Sequence, residues 1–578
     1  LSIVTVRKII EKPGCYIPAS IVMIVGIAGG LFVGSQGGGQ VPAEAGPIVA
    51  SVGSYKLSSV TLESVAADQM RQLGGAVTSL TPELEARFLA DTVRQLIEQG
   101  YVLELARQKK VDLSDGKVIE AIGSGFDEQL QMERRRLEET GVLKKGASDS
   151  EFLAELKKQQ PGFDPEKEKA RQIDLAKQAL ADPNRRPQVL AYVAGQELQK
   201  ALAAAYNPTE EELKSYFTSY TVKRILVNPQ SAGSSTPKEV AEKARKEIVG
   251  GMAFETAMER YSGETPPPGK KIGETTLVVS GRQIVSDPQY AGIPSLKAGE
   301  VSPVVESAGN AILYKLVSSK SELPKDFADK KDEYRREYQQ SASSAAFRRE
   351  LEALKATTPI QWESKGYEAL YLWLQEADAG LNLAGDALKK RKEKLREIAD
   401  QAKAAMESDL AGRRAAILAH FAAISQIYNE SNPDEKKALA DQRLEAISYL
   451  LEITENPTLR LEMVDLLAAK KDPAAGEELV RVAESNFDPT AAGQVIYSGV
   501  DAKTTVLEKA KLLTPEQSKR IQAAQAAWRA AKKEHDAAEA EAKRQQAEEE
   551  RLAREAEAKA KAEEAKNKPA PTPRKQGD

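Results

Sequence analysis

Apolar residues recur along most of this chain at the three- and four-residue spacing of helices. The clearest run is Phe88, Leu89, Val93, Leu96, Ile97, Tyr101 and Leu105, one apolar face behind a start at Thr81-Pro82, where proline suits the first helical turn. Ser114 starts a further helix carrying Val118, Ile119 and Ile122. From Phe126 to about Pro187 leucine and phenylalanine are scattered among charges, a pattern that predicts long helices with interrupted apolar faces rather than a compact core. Thr209-Glu210-Glu211-Glu212 ahead of Leu213 is a capping box. A short β-branched run, Ile48-Val49-Ala50-Ser51-Val52, ends in the turn residue Gly53.

The pattern changes between 221 and 318, where strands and helices alternate in a β-α-α-β-α-β reading. Ile225-Leu226-Val227 is a strand. Thr236-Pro237-Lys238-Glu239 opens a helix with Val240, Ala244 and Ile248 on one face, and Gly250-Gly251 closes it. Past Leu323-Pro324 the helical period returns. Its stripes are Leu370, Trp373 and Leu374; then Ile417, Phe421, Ile424 and Tyr428; then Leu444, Ile447 and Leu451. Pro433, Pro457, Pro473 and Pro515 separate later segments, and with no fixed repeat length an α-solenoid and a plain bundle both stay open. Residues 530–566 are almost entirely Ala, Glu, Lys, Arg and Gln without an apolar heptad seam, which predicts a solvated single helix or a disordered arm instead of a coiled coil.

The N-terminus has its own signal. Ile17 to Val33 is wholly apolar or small, and no charge falls between Pro13 and Ala43. That is just enough to cross a hydrocarbon core as a helix. Arg7, Lys8 and Lys12 precede it and the next basic residue is Lys56, so the expectation is a single-pass anchor in the inner membrane, N-terminus cytoplasmic and bulk extracytoplasmic. The competing expectation is a cleaved signal, for which Ala43-Glu44-Ala45 has the small-x-small form.

Composition narrows the chemistry. A chain of 578 residues exceeds one hydrophobic core and should divide into several domains. Two histidines, His420 and His535, and one cysteine are too few for a thiolate zinc cluster or an internal disulfide, so neither metal nor cofactor is expected. Basic residues are interleaved with acidic ones at a net charge of -4, which argues against nucleic acid as a partner.

Four stretches carry a family likeness: Val222-Lys223-Arg224-Ile225-Leu226-Val227; Met252 to Ser262; Lys297-Ala298-Gly299-Glu300-Val301-Ser302-Pro303-Val304; and Gly309 to Val317. Together they resemble the parvulin-type prolyl isomerase family, although Pro266 to Gly273 departs from that family's hairpin. Upstream, Val49 to Gly53, Leu80-Thr81-Pro82-Glu83-Leu84, Arg94 to Gln99 and Asn207 to Phe217 fall in an order that resembles the SurA/PpiD-like periplasmic chaperones.

The resemblance implies a mostly α protein with one α+β domain. Residues 1–45 would hold the anchor and linker, 46–220 a helical chaperone domain, and 221–318 the parvulin-like domain. Residues 319–356 would return a helix to the chaperone domain, 357–530 form a helical array, and 531–578 a charged helix and tail. Active parvulins, the resemblance implies, place two histidines beside an acidic or thiol residue. Here those positions read Arg224 and Ala311, with Glu264 the nearest acid. Arginine cannot accept a hydrogen bond and alanine has no polar side-chain atom, so the polar network is expected to be lost. An apolar pocket at Ile284, Val285 and Tyr290 is expected to persist, and Phe347, Leu351 and Leu354 to line a cradle for clients. Three readings follow: a chaperone holding unfolded or nascent exported polypeptides, an active prolyl isomerase, and a tethered scaffold whose C-terminal helices bind a protein partner.

Overall fold

The computed structural model describes residues 46–72, 81–159, 162–232, 235–266, 269–307, 309–379, 385–486 and 508–566. The apolar run 17–33, the Ala43-Glu44-Ala45 site and the last residues of the tail lie outside them. Among the described residues no helix is long and apolar enough to cross a membrane. Those residues are mostly helical, with two small antiparallel sheets among them, and the chain divides into two compact units, one ending at Glu430 and the other beginning at Ser431. That division runs through the 357–530 segment, whose first three helices belong to the first unit.

The first unit opens with the hairpin β1 (Ile48–Val52) and β2 (Tyr55–Ser58), turned at Gly53 with φ +54°. A two-residue strand, β7 (Gln361–Trp362), pairs on the other side of β1 and ties the far end of the unit to its start. After α1 (Ser59–Gln72), α2 (Pro82–Gln108) is capped by the Thr81 hydroxyl, which accepts from the Leu84 N–H. Val93, Leu96, Ile97, Tyr101 and Leu105 are buried along one face, while Phe88 and Leu89 are half-buried. Next come α3 (Asp115–Glu139), α4 (Asp149–Gln159), α5 (Pro165–Ala181) and α6 (Arg186–Ala205). Here one expectation fails. Phe126, Leu137, Leu143, Phe152, Leu156 and Phe163 close into a core of their own. They come from two helices and the loops around them, so no single helical period displays them.

After α7 (Glu210–Ser215), whose Thr209–Glu212 capping box is complete, an α+β segment is inserted. Its strands are β3 (Thr218–Val227), β4 (Leu277–Ser280), β5 (Val305–Ser307) and β6 (Asn310–Ser321), in the order β4-β3-β6-β5. Helices α8 (Pro237–Val249) and α9 (Phe254–Tyr261) cover one face, burying Ile225, Val227, Ala241, Ala244, Phe254, Met258, Ala311 and Leu313. The other face gathers Tyr220, Val222, Val279, Ile293, Ile312, Tyr314 and Leu316, with Leu226, Ile284 and Tyr290 partly buried against them. Ile284 belongs to the short helix α10 (Gly281–Ser286).

The chain then re-enters the helical part through α11 (Lys331–Thr357), which lies on α6 and α2. Three more helices, α12 (Lys365–Ala379), α13 (Gly385–Ser408) and α14 (Arg413–Asn429), pack on one another, and α12 and α14 also pack on α2. Asp378 bridges Arg87 and Arg94 of α2, each at 2.6 Å. His420 is buried there, its Nδ1 2.9 Å from the Ala399 carbonyl oxygen.

In the second unit α15 (Pro433–Ala438), α17 (Pro457–Ala469) and α18 (Ala474–Asn486) begin at or just after the proline signals, with Asn432 and Asn456 as side-chain caps, while α16 (Ala440–Ile453) follows α15 after Leu439. The 52-residue α19 (Pro515–Lys566) starts at Thr514 and contributes Ile521 to a core of Leu461, Val464, Leu479, Val480 and Val482. Beyond Lys533 its described side chains are exposed.

Candidate functional site

The alternation of β3 and β6 decides which residues can meet. Arg224 pairs with Tyr314 in register, and both belong to the face away from α8 and α9. Ala311 pairs with Val227 and is fully buried under those helices. The expectation that Arg224 and Ala311 mark one site therefore gives way: on a strand, adjacent residues point to opposite faces. Ile312, not Ala311, stands on Arg224's side of the sheet.

Arg224 forms an ion pair with Glu264, the side chains being 26% and 22% exposed. Glu264 arrives there because the chain leaving α9 is laced to β3. The Gly263 N–H donates to the Leu226 carbonyl at 2.7 Å, the Leu226 N–H to the Ser262 hydroxyl at 3.3 Å, and the Asn228 side-chain amide to the Gly263 carbonyl at 3.4 Å. Burial pulls the guanidinium's pKa down, but the bond to Glu264 and its charge outweigh that and leave it raised. The guanidinium is thus a fixed positive charge at neutral pH, and it is engaged in the ion pair.

Tyr314 is 1% exposed, and its hydroxyl has no hydrogen-bond partner. Burial pushes its pKa upward. The Tyr290 ring lies 5.9 Å from the Tyr314 ring, tilted by 54°. Tyr290 ends the turn Pro288–Tyr290, which Asp287 organises by accepting from the Gln289 N–H at 3.2 Å and its side-chain amide at 2.6 Å. Ile284 packs against the same cluster and Val285 is half-buried. The face therefore brings Arg224, Glu264, Ile284, Tyr290 and Tyr314 together.

This face is anchored to the helical part. Ser280 and Gln283 form the capping box of α10, Arg282 pairs with Glu337 of α11 at 3.1 Å, and Arg348 donates to the Ser286 carbonyl. A Cβ on Gly281 would sit 2.1 Å from the Ser215 carbonyl oxygen, so only glycine lets α10 approach the end of α7. Below it lies an aromatic cluster that sequence reasoning missed. Phe217 meets Tyr334 at 4.9 Å and Phe327 at 5.7 Å, Tyr216 meets Tyr338 at 5.5 Å, and the Arg282 guanidinium lies 5.3 Å from the Tyr216 ring. Aromatics at 216, 217, 327, 334 and 338 were visible in the sequence, but nothing local paired them across the inserted domain.

The expected client-binding residues of α11 separate. Phe347 and Leu351 are half-buried on the helix whose Arg348 reaches α10, whereas Leu354 is only 5% exposed and belongs to the interior. In the helical part before the insertion the strongly exposed large apolar side chains, Leu84 and Met132 on helices and Val142 in a turn, are scattered. One groove of about 540 Å³ runs instead between α8 and β5, lined by Lys238, Glu242, Arg245, Lys246, Val249 and Val304. For metal ligands, His535, Asp536 and Glu539 come within 4.8 Å of one another on α19, but all are exposed and Lys532 and Lys543 already pair with the two acids.

No family model matches the chain. Among solved structures it is similar to the peptidylprolyl isomerase PrsA from Bacillus anthracis, at 16% identity over 46% of this chain and 95% of that one, TM-score 0.21. It is similar to the foldase protein PrsA from Streptococcus pneumoniae at 17% identity, over 52% of this chain and 89% of that one, TM-score 0.20. A structure from work on two SurA-like chaperones of Campylobacter jejuni aligns at 10% identity, over 55% of this chain and 98% of that one, TM-score 0.16.

Proposed function

We propose that this protein is an extracytoplasmic chaperone of the SurA-like kind, tethered through residues 17–33, that holds unfolded or nascent exported polypeptides and does not isomerise prolyl bonds. The observation that carries the reading is the Arg224–Glu264 ion pair. It occupies the position where the parvulin resemblance expects a histidine network, inside a sheet that is inserted between helices α7 and α11. Turning a prolyl amide means crossing a barrier of about 18–20 kcal/mol. A pair whose charges already satisfy each other offers little that strengthens only in the twisted amide, and uniform binding does not accelerate. The apolar side chains around it, Ile284, Val285 and Tyr290, still suit holding a chain, and weak adaptable contacts serve many clients.

Two assays on the full chain test this. Suppression of aggregation of an unfolded exported protein is expected, while a proline-limited refolding reaction is expected to keep its uncatalysed rate. Acceleration of that refolding, lost in Tyr290→Ala, would instead establish the isomerase reading. The scaffold reading draws on the separate C-terminal unit and its long solvated helix. Recovery of one stoichiometric partner by the full chain, lost on deletion of residues 431–578, is the result that would favour it.

A further inference from the structure

Helix α19 is docked at its start and solvated along the rest. Near the start Ile521 is buried with Leu461, Val464 and Leu479, and Ala524 and Trp528 pack against that core. Arg520 pairs with Glu477 at 2.8 Å and with Glu484 at 2.9 Å. From Lys533 onward the described side chains are exposed, yet the helix runs unbroken to Lys566. A helix that is polar on every side needs a support other than burial.

Nucleation is the costly step of helix formation, and the packed turns around Ile521 have already taken it, so each later residue only extends an existing ladder. No glycine or proline falls between Glu516 and Lys566, and alanine, the best helix former, recurs throughout. Opposite charges stand one turn apart: Lys532 and Asp536 at 3.1 Å, Glu539 and Lys543 at 2.6 Å, Glu548 and Arg551 at 3.5 Å, Glu550 and Arg554 at 3.9 Å. Pairs at this spacing stabilise a helix that touches nothing else. Leu552 is the only large apolar residue from Lys533 to Lys566, so no seam exists on which a second helix could seat. We propose that α19 beyond Lys533 is a free-standing strut, a charge-laced single helix that works as a stiff spacer. It holds the chain beyond Lys566 about 50 Å from Lys533, whereas a flexible segment of that length would average roughly 30 Å and fix no distance. Its surface is a support and not a docking face.

The test uses the full chain carrying Cys15→Ser, which removes its single cysteine, together with Lys533→Cys and Lys566→Cys as sites for two nitroxide spin labels. Distances are read by pulsed electron–electron double resonance. A narrow distribution centred at about 50 Å, unchanged on dilution of the protein, is the expected result. Adding Glu539→Lys, Glu548→Lys and Glu550→Lys, which sets like charges one turn apart, should broaden the distribution and shift its mean toward roughly 30 Å. Ala547→Pro should shorten the mean as well, because it interrupts the ladder midway between the labels. A broad distribution near the coil value in the parent chain overturns the strut. So does a long distance that is lost on dilution, which would make the helix one strand of a pair with a second copy. A distance indifferent to the three charge reversals overturns the charge pairs as its support, and one indifferent to Ala547→Pro shows that no continuous helix joins the labels.

Discussion

Arg224 on β3 and Glu264, which follows α9, are held together across forty residues of sequence. Neither is fully exposed, so each is the other's main compensation for lost water.

Arg224→Ala is therefore expected to lower stability by about 1–3 kcal/mol, because Glu264 is left partly buried without its partner. Urea unfolding of the variant beside wild type measures it. Arg224→Ala combined with Glu264→Ala should recover much of the loss. A double variant no more stable than the single one would mean that the pair is not a closed unit.

Leu354 and Phe347 sit seven residues apart on α11, and sequence periodicity assigns them to one client-binding face. Burial separates them. Leu354→Ala is expected to cost about 2–4 kcal/mol of stability through the cavity it leaves. Phe347→Ala should cost less and should weaken aggregation suppression more. Equal effects of the two substitutions in both assays would contradict this division.

Gly100 lies in the middle of α2, where alanine would ordinarily raise helix stability by up to about 1 kcal/mol. Here an added Cβ would lie 2.4 Å from the Tyr55 ring, because the hairpin β1–β2 rests on the helix at that point. Gly100→Ala is expected to destabilise by about 1–3 kcal/mol as the ring is driven from its seat. Gly100→Ala combined with Tyr55→Leu should relieve part of that penalty. A more stable single variant, read by thermal unfolding, would show that the hairpin can move away freely.

Helix starts were the most legible feature of the sequence, since Thr81, Thr209, Thr236, Asn432 and Asn456 each accept from the backbone of the first turn, as their local patterns require. Those signals are local. What the sequence hid is parity and distance. Along Ala311-Ile312-Leu313-Tyr314 both sheet faces are buried, so no polar residue marks which side chain faces Arg224, and a one-residue shift goes unnoticed. Tyr314 was overlooked for that reason. The core around Phe126 and Phe163 was hidden by its irregular spacing, and the pairing of Trp362 with Ala50 joins residues too far apart for any window to relate. The break at Glu430 had no composition shift to announce it, since the stripes on either side read alike.

Glu104 gives a pH-dependent test of the same hairpin. Its side chain is only 3% exposed and accepts from the Arg107 guanidinium at 2.9 Å, from the Ser54 N–H at 3.2 Å and from the Ser54 hydroxyl at 3.1 Å. The Arg107 bond first, then those from Ser54 and Gln108, outweigh burial and hold the carboxyl at about 2. In the unfolded chain a glutamate titrates near ~4.3. A group depressed in the folded state contributes fully above its unfolded value and loses that contribution as pH falls toward its folded one. The size is on the order of 2 kcal/mol, discounted because Arg107 is largely in water. Glu104→Gln should accordingly be less stable than wild type at pH 7, with the gap narrowing between about pH 5 and pH 2. Urea midpoints at pH 7, 4 and 2.5 measure it, and a gap that stays constant across that range would show that Glu104 acts by shape alone.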